Sequence, residues 1–103
     1  MPAPFIDPAA IRRAARGAGY ERGVDCFRRG LVARASWDPA TGTLIALVHG
    51  NRSHPYRCMI RIDEDHPHGP ILSTRCTCPM EADCKHVVAA ILASNETAAP
   101  SAR

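Results

Sequence analysis

The chain has 103 residues, of which 46% are hydrophobic and only 5% are aromatic. This size and composition favour one compact domain with a thin core, of the kind that a bound metal or disulfides often stabilise. The formal net charge of +3 does not by itself indicate a nucleic-acid partner. No apolar run approaches the ~18–20 residues that a membrane span requires, so no membrane association is predicted.

The N-terminal third of the chain predicts two helices after a flexible leader over residues 1–6. Asp7 is a suitable N-cap and Pro8 fits the first helical position, and this helix should continue to Arg16 before glycines end it. A second short helix is expected over about 20–29, where apolar side chains recur at helical spacing.

Arginine dominates the basic residues of this chain. Twelve of the thirteen basic residues are arginine, and residues 1–35 carry seven arginines against three acidic residues. Arginine suits bidentate contact with phosphate, although a solvated helix surface explains the same pattern equally well. The candidate nucleic-acid contacts are Arg12, Arg13, Arg16, Arg22, Arg28, Arg29 and Lys85.

The middle of the chain predicts a small antiparallel sheet of about four strands. Residues 31–37 and 43–49 flank an Asp-Pro-Ala-Thr-Gly turn and form the expected hairpin. Residues 56–62 alternate in polarity, and residues 71–75 form a short last strand. In the third strand, one face carries Tyr56, Cys58, Ile60 and Ile62, and the other carries Arg57, Met59 and Arg61.

The period of the pattern changes after Cys84, where apolar residues recur as on one face of a helix. Asp83 is a candidate cap for this helix. Residues 94–103 are rich in Ala, Ser, Thr and Pro, and they predict a disordered tail. The expected fold class is α+β, with N-terminal helices, the small sheet and a zinc-bound C-terminal helix in one domain over residues 7–93.

A zinc ion is expected because three cysteines and one histidine fall within residues 76–86. Structural zinc requires four ligands in a tetrahedron and prefers thiolate and imidazole. The first two cysteines alternate at a strand end, and the third cysteine and the histidine lie at a helix start, so each pair can face one ion. One structural zinc ion is therefore predicted, in a finger over residues 71–93. The predicted ligands are Cys76, Cys78, Cys84 and His86.

Other uses of these residues fit less well. Cysteines also serve as small buried hydrophobic residues, redox pairs usually have C-x-x-C spacing, and iron–sulfur clusters usually take four cysteines. Catalytic zinc requires an open fourth position, whereas all four positions here are filled. Cys26 and Cys58 are predicted in the core, and His66 and His68 form a weaker candidate for a second metal site. Five cysteines, an odd number, argue against a disulfide framework and favour a reducing, cytoplasmic location.

Residues 76–79 and 84–89 resemble the C-x-C-x5-C-x-H core motif and following helix of the SWIM zinc finger family. Residues 19–23 and 27–32 are similar to the region that precedes the finger in bacterial Swi/Snf-like helicases. The resemblance covers roughly residues 17–93, and it implies zinc ligation by the four clustered residues and contact with DNA or another protein. The chain has no Gly-rich phosphate loop, so a helicase activity would belong to another chain or another part.

These observations predict a non-catalytic, zinc-structured binding module that contacts DNA through its arginine-rich helices. The alternative is a protein-interaction module of a larger helicase-type or DNA-processing assembly. An enzyme is not predicted, because no nucleophile–base pair, carboxylate pair or serine motif stands out in the sequence.

Overall fold

The computed structural model describes residues 3–97 and confirms the α+β class. Two helices precede four strands, and a longer helix follows them. Within the described residues, no helix is long and apolar enough to cross a membrane. In chain order the elements are α1 (Pro8–Ala14), α2 (Gly19–Arg28), β1 (Val32–Asp38), β2 (Thr43–Val48), β3 (Tyr56–Ile62), β4 (Ile71–Cys76) and α3 (Lys85–Thr97).

The first helix begins as its capping pattern predicts. The Asp7 carboxylate accepts a hydrogen bond from a backbone N–H of the first turn, and Pro8 occupies the first helical position. Helix α1 ends at Ala14 rather than at Arg16, and Ala15 has extended backbone angles (φ −86°, ψ 151°). Helix α1 is therefore shorter than predicted, and the linker to α2 begins at Ala15.

The four strands form one antiparallel sheet in the order β1-β2-β3-β4. The turn before β2 uses Gly42 at φ +67°, a left-handed conformation that glycine adopts without steric cost. Strand β3 alternates buried and exposed residues along its whole length, as predicted. The sheet thus has an inner, buried face and an outer face that carries the exposed residues of β3.

Helix α3 lies between the inner face of the sheet and α2. Its residues Val87, Val88 and Ile91 are each at most 2% exposed. Gly23 of α2 lets the two helices approach closely, because a β-carbon there would overlap the Val88 side chain and lie 2.9 Å from the Lys85 carbonyl oxygen. The position of α3 therefore depends on contacts with both of its neighbours.

Both ends of the described chain form contacts that the sequence does not predict. The leader expected over residues 1–6 includes Ile6, which is 1% exposed in the core. The Ile6 N–H donates to the Asn95 Oδ1 atom at 2.9 Å, and the Asn95 Nδ2 atom donates to the Ile6 carbonyl oxygen at 2.9 Å. Helix α3 continues to Thr97, into the predicted disordered tail. The rest of that tail, residues 98–103, lies outside the described residues.

Candidate metal centre

Four metal-binding side chains meet at the junction of β4 and α3. Their ligand atoms all lie within 4.8 Å of one another, and each residue is at most 5% exposed. The first residue ends β4, the second lies in the following loop, the third directly precedes α3 and the fourth lies in its first turn. They are the predicted ligands Cys76, Cys78, Cys84 and His86.

The spacing of the donor atoms fits a tetrahedral zinc ion. The His86 Nδ1 atom lies 3.7 Å from the Cys84 sulfur and 3.8 Å from the Cys76 sulfur. Zn–S bonds of about 2.3 Å and Zn–N bonds of about 2.0–2.1 Å separate such atoms by roughly 3.5–3.6 Å in a regular tetrahedron. Three thiolates and one imidazole are also a donor set of closed structural sites. The cluster therefore fits one structural zinc ion.

Backbone hydrogen bonds shape the loop between the two ligand pairs. The Cys76 N–H donates to the Glu81 carbonyl oxygen at 2.6 Å, and the Glu81 N–H donates to the Cys78 carbonyl oxygen at 3.0 Å. Glu81 and Asp83 have positive φ angles of 68° and 54°. These left-handed conformations reverse the chain, so that Cys84 returns to the end of β4.

Asp83 has a different role from the helix cap predicted for it. Its Oδ1 atom accepts a hydrogen bond from the Thr74 hydroxyl at 2.6 Å, and the same hydroxyl accepts one from the Asp83 N–H at 2.8 Å. Its Oδ2 atom lies 3.6 Å from the Arg16 Nε atom. The carboxylate therefore fastens the metal loop to β4 and to the linker between α1 and α2.

Two further side chains lie against the cluster. The sulfur of Cys58, which is 0% exposed as its core assignment predicts, lies 3.7 Å from the Cys76 sulfur. A thiol that donates to a ligand thiolate orients it, as outer hydrogen bonds do in metal sites. This contact follows from the register between β3 and β4, which pairs Cys58 with Cys76. The Tyr56 ring packs on His86 with centroids 4.7 Å apart, and the His86 Nε2 atom has no hydrogen-bond partner within the described residues.

The thiols of Cys76 and Cys84 are protonated at neutral pH in the metal-free chain. In the metal-free chain the hydrogen bond with Cys58 favours the neutral Cys76 thiol, and together with burial it raises the pKa of Cys76 to about 12. A hydrogen bond with Cys76, followed by burial, raises the pKa of Cys84 to about 11. Zinc binds thiolates, so loading of this site releases protons and its zinc affinity increases with pH.

The seven predicted nucleic-acid contacts fall into two groups, according to whether they form an ion pair. Three of them are in ion pairs, which partly neutralise their charge. These pairs are Arg12–Glu21, Arg16–Asp83 and Arg29–Asp25. The other four have no ion-pair partner among residues 3–97, and they are Arg13, Arg22, Arg28 and Lys85.

A cleft of about 490 Å³ opens beside the metal cluster and brings some of these cations together. Arg16, Arg22 and Lys85 line it, together with Cys78 and His86 of the cluster. No acidic side chain of the described residues lines this cleft. Helices α2 and α3 both begin at its wall, and backbone N–H groups at helix starts favour anions. The cleft is therefore electrostatically suited to a negatively charged ligand.

The comparisons with known proteins address the finger itself. Residues 56–95 match the family model of the SWIM zinc finger. This segment contains β3, β4, most of α3 and all four clustered ligands. Neither the curated proteins nor the solved structures gave a significant match. The family match and the closed cluster together support a zinc-binding interaction module.

Proposed function

We propose that the chain is a non-catalytic module that contacts nucleic acid, DNA in particular, while its zinc ion serves only to hold the fold. The observation that supports nucleic-acid contact most directly is the basic cleft, which Arg16, Arg22 and Lys85 line and whose lining, among the described residues, includes no acidic side chain. The buried, complete ligand set favours binding over catalysis, because catalytic zinc keeps one position open for substrate.

The cations of the cleft can contact phosphate at low cost. Arg22 and Lys85 have no ion-pair partner within residues 3–97. Arg16 forms an ion pair with Asp83, but both side chains are partly exposed, at 61% and 35%. Exposed ion pairs contribute only ~0–1 kcal/mol to stability, so Arg16 can exchange this partner for a phosphate. Three thiolates around one divalent ion leave a charge of about −1 at the finger, which these cations offset. The remaining predicted contacts lie on α1, on α2 and at the C-terminal end of α2, and they are Arg12, Arg13, Arg28 and Arg29.

Binding of zinc-loaded protein to DNA is expected to weaken steeply as salt rises. Each phosphate contact releases counterions, so the logarithm of the binding constant falls by about 0.7–0.9 per contact for each tenfold increase in salt. Fluorescence anisotropy with labelled mixed-sequence DNA, between ~50 and ~200 mM salt, measures this slope. The double variant Arg22→Gln with Lys85→Gln should make the slope shallower by roughly 1–2. Absence of binding at low salt, with zinc present, would remove the proposed function.

The alternative is a protein-interaction module that holds a helicase or other DNA-processing protein. Strand β1 favours it, because it forms one edge of the sheet and most of its residues are exposed. An exposed edge can pair with a strand of a partner. Affinity capture from cell extract separates the two functions. A partner retained after nuclease treatment would favour the alternative, and a partner lost with the nucleic acid would favour the proposal above.

A further inference from the structure

The outer face of the sheet carries four arginines that lie close together only in the fold. In β3 the exposed residues are Arg57, Met59 and Arg61. The register places Arg75 of β4 opposite Met59, and it places Arg34 of β1 level with Arg57 across β2. Directly paired residues have side chains on the same side of a sheet. We refer to these four residues, Arg34, Arg57, Arg61 and Arg75, as the sheet arginines.

The sheet arginines have no acidic partner in the part of the chain that the structure describes. All four are exposed, and none forms an ion pair within residues 3–97. Among the outward positions of the paired strands only Asp38 is acidic. Its carboxylate accepts hydrogen bonds from the Ala40 N–H and the Thr41 hydroxyl in the adjacent turn. The acidic residues at 63–65 follow the end of β3. This face is therefore positively charged, with its acidic groups at the margins.

Apolar side chains occupy the middle of this basic face. Met59 is 39% exposed, and the half-buried Ile45 and Leu47 of β2 pair with Met59 and Arg57. A duplex presents mainly phosphates and sugars outside its grooves, and a four-stranded sheet about 14 Å wide does not fit a major groove about 12 Å wide. A single strand instead exposes base faces, which stack on guanidinium planes and apolar side chains. The combination therefore fits a single strand better than a duplex.

We propose that the outer face of the sheet is a second nucleic-acid surface, which binds single strands without sequence preference. The sheet arginines contact phosphates and bases, and Met59 with its apolar neighbours lies beneath the bases. This inference rests on the proposed function, because it assumes that the chain contacts nucleic acid. The zinc ion supports the surface indirectly, since Cys76 ends the strand that carries Arg75.

Two triple variants with the same loss of charge test this surface. The sheet variant changes Arg57, Arg61 and Arg75 to glutamine, and the helix variant changes Arg13, Arg22 and Arg28 to glutamine. All six arginines lack an ion-pair partner within residues 3–97. With a labelled single-stranded oligonucleotide, the sheet variant should lose at least about tenfold in affinity, and its salt slope should become shallower by about 2. The helix variant removes contacts that the proposed function assigns to nucleic acid, so we expect it to lose affinity for the single strand as well, but by a smaller factor than the sheet variant.

Each outcome of this experiment has a defined meaning. Failure of the unaltered protein to bind any nucleic acid at low salt overturns both the proposed function and this inference. Binding that the helix variant loses and the sheet variant keeps overturns the sheet surface alone, as does equal loss in both. If the sheet variant loses at least as much affinity for the matching duplex as for the single strand, or if the unaltered protein binds polyglutamate equally well, the single-stranded ligand is overturned.

A single substitution covers the case in which the sheet variant does not fold. Thermal melting and zinc content show whether each variant is folded. Met59→Glu places a negative charge at the centre of the face, at an exposed position. We expect it to weaken single-strand binding at least about tenfold, and unchanged affinity in this folded variant would overturn the inference.

Discussion

Replacing Cys84 with serine is expected to abolish stoichiometric zinc binding and to unfold the finger over residues 71–93. Structural zinc contributes an apparent ~10–16 kcal/mol in small fingers, which is comparable with the ~5–15 kcal/mol of stability of a whole domain. The melting temperature should therefore fall by at least ~20 °C, or the cooperative transition should disappear. Thermal melting by circular dichroism and zinc content by elemental analysis measure the two effects.

The damage should extend beyond the metal loop, because α3 forms the middle layer of the fold. Cys84 is 0% exposed and directly precedes α3. Val87, Val88 and Ile91 follow within the next two turns and are buried between the sheet and α2. Without the metal, the start of α3 loses its fixed position beside β4, and these side chains lose their packing. Amide hydrogen exchange should therefore accelerate along α3 as well as in the loop.

Cys26→Ser is the matched control for this substitution. Cys26 is also buried, at 5% exposure, but it lies outside the metal cluster. We expect this variant to retain one zinc ion and to lose only ~1–3 kcal/mol, the usual cost of burying a hydroxyl group. If the two serine variants melted alike, or if the unaltered protein kept its fold in excess strong chelator, zinc could not be the main stabilising element.

The metal centre was predictable from the sequence because its determinants are local. All four donors fall within residues 76–86, and their residue types match the preference of zinc. The alternation over residues 56–62 likewise identified β3 and its buried face, since a strand that covers a core shows period two. Both signals depend on neighbours in sequence, which a single chain displays directly.

Contacts between distant residues could not be predicted in this way. Ile6 and Asn95 are 89 positions apart in the sequence. The residues around each of them, taken alone, predict a flexible or disordered chain end. Asp83 is of a residue type that favours helix caps. In the fold, however, Thr74 and Arg16 bind its carboxylate, and its backbone has a positive φ angle. In both cases a tertiary partner satisfies the polar groups that local rules assign elsewhere.

The basic surfaces illustrate the same limit. The sequence concentrates arginines in residues 1–35, yet the fold pairs Arg12, Arg16 and Arg29 with carboxylates. Alternation within β3 places Arg57 and Arg61 on one outward face, but only the register between strands adds Arg75 to them. Charge counted along the chain therefore differs from charge available on a surface.

Gly23→Ala is expected to destabilise the domain by about 1–3 kcal/mol, the usual cost of overpacking a core. Helix propensity alone predicts the opposite sign, because alanine favours an α-helix over glycine by ~1 kcal/mol. A β-carbon at Gly23 would overlap Val88 and lie 2.9 Å from the Lys85 carbonyl oxygen. A new Val88 rotamer cannot relieve the contact with Lys85 backbone, so α2 and α3 must separate.

Gly19→Ala tests whether this cost comes from the helix crossing. Gly19 begins the same helix, and a β-carbon there would make only ordinary contacts, 3.5 Å from Ala15 Cβ and 3.6 Å from the Asp83 carbonyl oxygen. Its stability should be unchanged or slightly higher, by less than ~1 kcal/mol. Chemical denaturation of the zinc-loaded variants measures both values. Equal stability of the two alanine variants would mean that α2 can move away from α3 freely. A difference of the expected sign would show that α3, which the metal positions at its start, is fixed by packing against α2 as well as against the sheet.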